Sequence, residues 1–106
     1  MAMASKADLS IARKFKSELA KRIPLTKMIL FGSRAHGKSG KESDFDFIIV
    51  SPKFKKMEWC DRSIRLYDCW KPLIPIDMLC YDPDEFEKYK KSLSTVKQAV
   101  EQGIVV

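Results

Sequence analysis

Two stretches decide the reading of this chain: Lys27-Met28-Ile29-Leu30-Phe31-Gly32-Ser33 and, ten residues further on, Asp44-Phe45-Asp46-Phe47-Ile48-Ile49-Val50. The first is a short, mostly apolar run stopped by glycine, as expected of a strand buried on both faces. The second is rich in β-branched and aromatic residues, alternates over its first half and is closed by Pro52, which predicts a second strand. Side chains two apart on a strand share a face, so Asp44 and Asp46 project together while Phe45 and Phe47 face the opposite layer. The intervening segment from Gly32 to Ser43 holds three of the four glycines and reads as a loop with at most one helical turn. It is short for a full helical crossover, so the relative direction of the two strands stays open.

Working outward, Ser5 predicts the cap of a helix whose apolar positions Leu9, Ala12, Phe15, Leu19 and Ile23 recur at helical spacing, with Pro24 ending it. Met57, Cys60, Ile64 and Tyr67 fit an amphipathic helix between Lys56 and Trp70. Ile74 to Tyr81 predicts a third strand. Asp82-Pro83-Asp84-Glu85 then reads as a capping box with proline at the first helical position, opening a helix from Pro83 to about Leu93. Ser94 or Thr95 is expected to cap a last helix carrying Val96, Ala99 and Val100, which Gly103 ends before the apolar tail Ile104 to Val106. This order predicts an α/β (α+β) fold: one small domain over residues 1–106, with helices covering a three- or four-stranded sheet that can be mixed.

Composition bounds the function. A chain of 106 residues, 45% hydrophobic and 32% charged, has enough apolar side chains for one packed core, which excludes a multidomain machine and a disordered tail. The net charge of +6 favours anionic partners such as nucleotides or nucleic acid. Three cysteines, Cys60, Cys69 and Cys80, with one distant histidine, His36, do not make a zinc knuckle and are expected to be buried reduced thiols. With no leader-like segment and no apolar run of roughly 18 residues, the chain is expected to be soluble and cytoplasmic, without a membrane partner.

The chemistry lies in the carboxylates. Two like charges about 4 Å apart cost on the order of 4 kcal/mol at an effective dielectric near 20, so Asp44 and Asp46 need solvent, a proton or a cation. A hard divalent cation takes such ligands together with phosphate oxygens, which suggests magnesium and a nucleotide. Asp77 interrupts the apolar strand Ile74 to Cys80, where a lone acid is costly to bury and needs a partner. If that strand lies beside the second, Asp77 joins Asp44 and Asp46 in a cluster able to hold two cations. Its alternative is a buried arginine or a backbone amide.

Gly32-Ser33-Arg34-Ala35-His36-Gly37-Lys38-Ser39 also matches the letters of a P-loop after a strand. A P-loop needs a helix opening at its Lys-Ser pair, and here Gly40-Lys41-Glu42-Ser43 leads directly into the second strand. The P-loop nucleotide-binding reading therefore stands as the minor alternative.

Gly32-Ser33, ten intervening residues, Asp44-Phe45-Asp46 and a later strand Asp77 together resemble the DNA polymerase β-like nucleotidyltransferase superfamily. In length and spacing the chain is similar to its minimal nucleotidyltransferases (MNT), small prokaryotic domains. The resemblance runs from about Thr26 to Phe86 and implies the polymerase β-like fold. It implies further that Gly32 lets the backbone approach a triphosphate, that Ser33 donates to its terminal phosphates, and that Arg34 is a further phosphate contact. Asp44 and Asp46 would ligate two Mg²⁺ ions. Asp77 would ligate the catalytic ion and help deprotonate the acceptor hydroxyl. Many relatives carry arginine where this chain has His36.

ATP is the implied donor, and the implied reaction moves a nucleoside monophosphate to an acceptor hydroxyl, releasing pyrophosphate. The family's link to HEPN-domain proteins implies a toxin partner, adenylylated on a tyrosine, with this chain as antitoxin. Two other classes remain: a catalytically idle subunit that blocks its partner by contact, and a basic nucleic-acid module using Lys53, Lys55, Lys56, Lys88, Lys90 and Lys91. The last lacks any stacking motif and ranks below the others.

Overall fold

The computed structural model describes residues 4–37 and 43–106. The first helix, α1 (Lys6–Ala20), starts where the sequence places it: the Ser5 hydroxyl accepts the Asp8 amide at 3.0 Å. Ala12, Phe15 and Leu19, on one helical face, are buried. Regular helix stops at Ala20 rather than Ile23, because the residue before Pro24 is driven out of helical geometry. Ile23 is buried all the same.

Strands β1 (Lys27–Phe31) and β2 (Phe45–Val50) pair antiparallel, with Leu30 opposite Phe47 and Phe31 opposite Asp46, which resolves the direction left open by the sequence. Between them a single 3-10 turn covers Ser33–Ala35. The Lys38-Ser39 pair of the P-loop pattern lies outside the described residues. Strand β3 (Ile76–Tyr81) runs parallel to β2, so the connection must cross over.

That crossover departs from the expected single helix between Lys56 and Trp70. It is a 3-10 turn (Pro52–Lys56), one short helix α2 (Trp59–Ile64) and another 3-10 turn (Tyr67–Cys69). Of the expected apolar stripe, Met57 packs against the core but Cys60, Ile64 and Tyr67 do not. Arg62 and Leu66 turn inward instead, Arg62 donating to the carbonyls of Met57 and Cys80 and pairing with Glu85 at 2.6 Å. Ile64 and Tyr67 are consequently exposed, and so is Cys60, contrary to the expectation of three buried thiols. Cys69 and Cys80 are buried, and burial pushes the Cys80 thiol up to about 12.

The capping box forms as read: Glu85 N–H donates to Asp82 and Asp82 N–H to the Glu85 carboxylate, both at 2.8 Å, opening α3 (Pro83–Ser92). Helix α4 (Ser94–Gln102) follows directly, with Leu93 at its cap position and no side-chain capping bond from Ser94 or Thr95. The apolar tail is a strand rather than a loose end. Ile104–Val105 forms β4, antiparallel to β1, giving a mixed sheet of order β3-β2-β1-β4.

Helices cover both faces of this sheet. On one, Phe15 of α1 meets Phe47 at 5.2 Å and Trp70 at 5.1 Å between ring centroids, and Trp70 also meets Phe45. On the other, Ile29, Ile48, Val50 and Tyr81 pack under Phe86 of α3 and Val96 and Ala99 of α4. No helix among the described residues is long and apolar enough to cross a membrane.

Candidate active site

The topology brings three chain segments to one end of the sheet. Because β1 runs against β2 and β2 runs with β3, the end of β1 lies beside the beginnings of β2 and β3. Asp46 sits in the middle, opposite Phe31 on one side and opposite Asp77 on the other. Alternation along the strands puts Asp46 and Asp77 on the face of Ile48, Leu79, Val50 and Tyr81, but at its open end. The apolar rows lie under α3 and α4; the acids lie at the rim.

Asp46 is partly buried and Asp77 and Asp44 are exposed. The premise that Asp77 is a costly buried acid is therefore corrected: β3 is an edge strand, and its burial alternates, with Ile76 and Met78 carrying the core contacts. The juxtaposition expected from the sequence is nonetheless present. Burial first, then the negative charges of Asp77 and Asp44 and a side-chain hydrogen bond with Asp77, push the Asp46 carboxyl up to about 6. Negative charge crowded in this way marks a place where a cation would be accepted.

Gly32 completes the wall beside Asp46. Its φ of 76° and ψ of −161° lie in a region open essentially to glycine alone. A Cβ there would fall inside contact distance of Asp46 Oδ2 and 3.3 Å from its Cγ. Backbone and carboxylate thus approach as closely as a side-chain-free residue permits. Ser33, next in the chain, is exposed and opens the 3-10 turn.

Arg34, expected as a phosphate contact, is held elsewhere. Its side chain is buried, paired with Asp8 of α1 at 3.0 Å, donates from Nε and Nη2 to the Ser43 carbonyl at 3.0 and 2.8 Å, and lies over the Phe45 ring at 4.6 Å. The guanidinium fork ties both ends of the Gly32–Ser43 segment to α1, so its charge is spent on positioning the loop. Twenty-six residues separate Asp8 from Arg34, and no local signal in the sequence announces the pair.

Among the described residues no group of three or more His, Cys, Asp or Glu side chains is gathered closely enough to hold a metal ion. Asp46 and Asp77 form the close pair, while Asp44 acts on Asp46 through its charge. An all-carboxylate donor set with a surplus negative charge fits a hard dication such as Mg²⁺. Asp46 and Asp77 are the residues that would hold it.

A cleft of about 380 Å³ adjoins this end of the sheet, between the Gly32–His36 turn and α4, with Thr95, Gln98 and Gln102 along its helical wall. The sequence names Thr95 only as a candidate helix cap and gives Gln98 and Gln102 no role, although the i, i+3, i+7 spacing of the three marks one helix face. The three acids do not line this cleft; Gly32, which abuts Asp46, joins it to them, whereas larger clefts of about 550 and 490 Å³ are lined by other segments.

Residues 12–106 match the profile of the family described as nucleotidyltransferase domain. This chain belongs to the nucleotidyltransferase domain family. Among solved structures, this nucleotidyltransferase domain is similar to a proposed nucleotidyltransferase from Sulfolobus solfataricus, with a TM-score of 0.67 and 24% identity over 93% of this chain and 78% of that one. It is also similar in fold to BolA1 from Arabidopsis thaliana, with a TM-score of 0.57 and 19% identity over 71% of this chain and 94% of that one. Both likenesses concern the fold. No curated protein gives a significant match.

Proposed function

We propose that this nucleotidyltransferase domain is an Mg²⁺-dependent enzyme of the minimal nucleotidyltransferase type, moving AMP from ATP to a hydroxyl on a protein acceptor. The observation that carries the reading is the in-register pair Asp46–Asp77, set against a glycine whose missing side chain lets the Asp46 carboxylate lie against the turn backbone. Magnesium, held by Asp46 and Asp77, would neutralise phosphate charge and favour the ionised acceptor oxygen.

The chain's own residues divide the remaining work. Gly32 admits the triphosphate to the backbone, and the exposed Ser33 hydroxyl donates to a terminal phosphate oxygen. Asp44, exposed at the rim, adds negative charge that draws a cation toward Asp46 and also raises the Asp46 carboxyl. Asp77, exposed on the edge strand, is open to an incoming acceptor and takes the proton from its hydroxyl. The acceptor oxygen forms a bond to the α-phosphorus, the bond from that phosphorus to the pyrophosphate oxygen breaks, and pyrophosphate leaves. Arg34 holds the loop in place through Asp8 and Ser43.

A tyrosine of a HEPN-domain toxin is the proposed acceptor, which makes the domain an antitoxin; the support is the spacing of Gly32-Ser33, Asp44-x-Asp46 and Asp77. Asp44 standing apart from the close pair favours one competing reading, an idle subunit that neutralises its partner by contact. Label transfer from α-labelled ATP to the partner, with Mg²⁺, separates the two. The enzyme transfers label, and the double variant Asp44→Asn, Asp46→Asn binds the partner without transferring. Wild type that neutralises its partner and transfers nothing refutes the enzymatic reading.

A further inference from the structure

We infer that the cleft between the Gly32–His36 turn and α4 is the nucleoside pocket of this domain, with Gln98 and Thr95 facing the base and Gln102 facing the ribose; this rests on the nucleotide reading above. The lining is the first argument. Thr95, Gln98 and Gln102 are neutral hydrogen-bonding side chains, all exposed along one stripe of α4, and among the described residues His36 is the one ionisable group on the cleft. A phosphate chain seeks cations or converging amides. A base and a sugar seek neutral donors and acceptors around an apolar body. A volume of about 380 Å³ is that of a small-ligand pocket.

The second argument is placement. Gly103 lets the end of α4 press on β1: a Cβ there would meet Ile29 Cγ2 at 2.7 Å and the Leu30 carbonyl oxygen at 2.9 Å. The next residue, Ile104, pairs with Leu30, which sets the last turn of α4 beside the end of β1. Gln102 therefore lies nearest Gly32. Gln98 stands one turn further away, about 6 Å along the helix axis, and Thr95 almost another turn beyond it. Gly32 itself lines the cleft and abuts the Asp46 carboxylate. A nucleoside with its ribose at Gln102 thus directs its 5′ phosphates over Gly32 toward Asp46 and Asp77.

The third argument is chemical choice. A glutamine amide offers one acceptor and one donor side by side, which matches the N7 acceptor and exocyclic amine of adenine and mismatches guanine, whose corresponding edge is two acceptors. The pocket therefore selects ATP among nucleoside triphosphates.

The test measures binding of nonhydrolysable ATP, GTP, CTP and UTP analogues, and of inorganic tripolyphosphate, to the full chain with Mg²⁺. Wild type is expected to prefer the ATP analogue. Gln98→Ala and the near-isosteric Gln98→Glu weaken it by on the order of tenfold and level the four nucleotides, Gln102→Ala weakens all four, and tripolyphosphate binding is unchanged in every variant. All three side chains are exposed, so the fold is expected to survive, checked by circular dichroism. If wild type binds the analogues and the Gln98 variants keep its order of preference, the pocket is refuted while the nucleotide reading stands. If wild type binds neither the analogues nor tripolyphosphate, both fall.

Discussion

Asp46→Asn is expected to make the metal-free protein more stable at neutral pH while abolishing transfer. Burial and the neighbouring acids push the Asp46 carboxyl up to about 6 in the folded chain, from an ordinary 3.8. A shift of that size corresponds to about 3 kcal/mol, reduced to about 1–2 kcal/mol because the group is partly exposed and its neighbours are screened by water and salt. The sign follows from proton binding. A carboxyl raised in the folded state contributes its stabilisation fully below the unfolded value, near pH 4, and loses it as pH rises through about 6. Asparagine keeps the shape and a donor for Asp77 but never ionises, so it escapes that loss.

Urea denaturation in EDTA at pH 4 and pH 7.5 reads the effect directly. The two proteins are expected to be equally stable at pH 4. The variant gains about 1–2 kcal/mol at pH 7.5, a rise in Tm of about 5–10 °C. Adding Mg²⁺ reverses the order in part, since a cation at ten times its dissociation constant stabilises wild type by about 1.4 kcal/mol and should leave the variant almost unmoved. A difference that is the same at both pH values, or a variant less stable at pH 7.5 without metal, would refute the raised Asp46 carboxyl and the cation site built on it.

Gly32→Ala is expected to cost about 1–3 kcal/mol of stability, because both its φ and the Asp46 carboxylate oppose a Cβ. Its transfer rate is expected to fall more than the stability loss explains, checked by comparing label transfer at a temperature where both proteins are folded. Asp8→Ala removes the carboxylate paired with the buried Arg34 and is expected to destabilise by about 3 kcal/mol. The pair Asp8→Leu with Arg34→Met is expected to recover much of that loss in urea melts, yet with weaker Mg-nucleotide binding, since the loop loses its tie through Ser43.

Local chemistry was legible from the residues in order. The Ser5 cap, the Asp82–Glu85 capping box and the β1 boundaries depend on groups within four residues of one another, so sequence spacing alone determines them. The alternation in Phe45 to Val50 likewise assigned Phe45 and Phe47 to the core and Asp46 to the other face. What sequence could not supply is any choice made between distant segments. The stripe Met57, Cys60, Ile64, Tyr67 has helical spacing, yet Glu85 and the Cys80 carbonyl, both remote in the chain, draw Arg62 inward and turn part of that stripe to water. Arg34 shows the same thing at the site: beside Gly32 and Ser33 it reads as a phosphate contact, and only the packing of α1 against the loop commits its charge to Asp8. The tail became β4 because β1 had a free edge, and that pairing anchors α4 beside Gly32. The residue types for the site are thus a property of the sequence, whereas their convergence belongs to the sheet. Register is a long-range agreement among backbone hydrogen bonds, and the match of Asp46 to Asp77 exists only once β2 and β3 lie side by side.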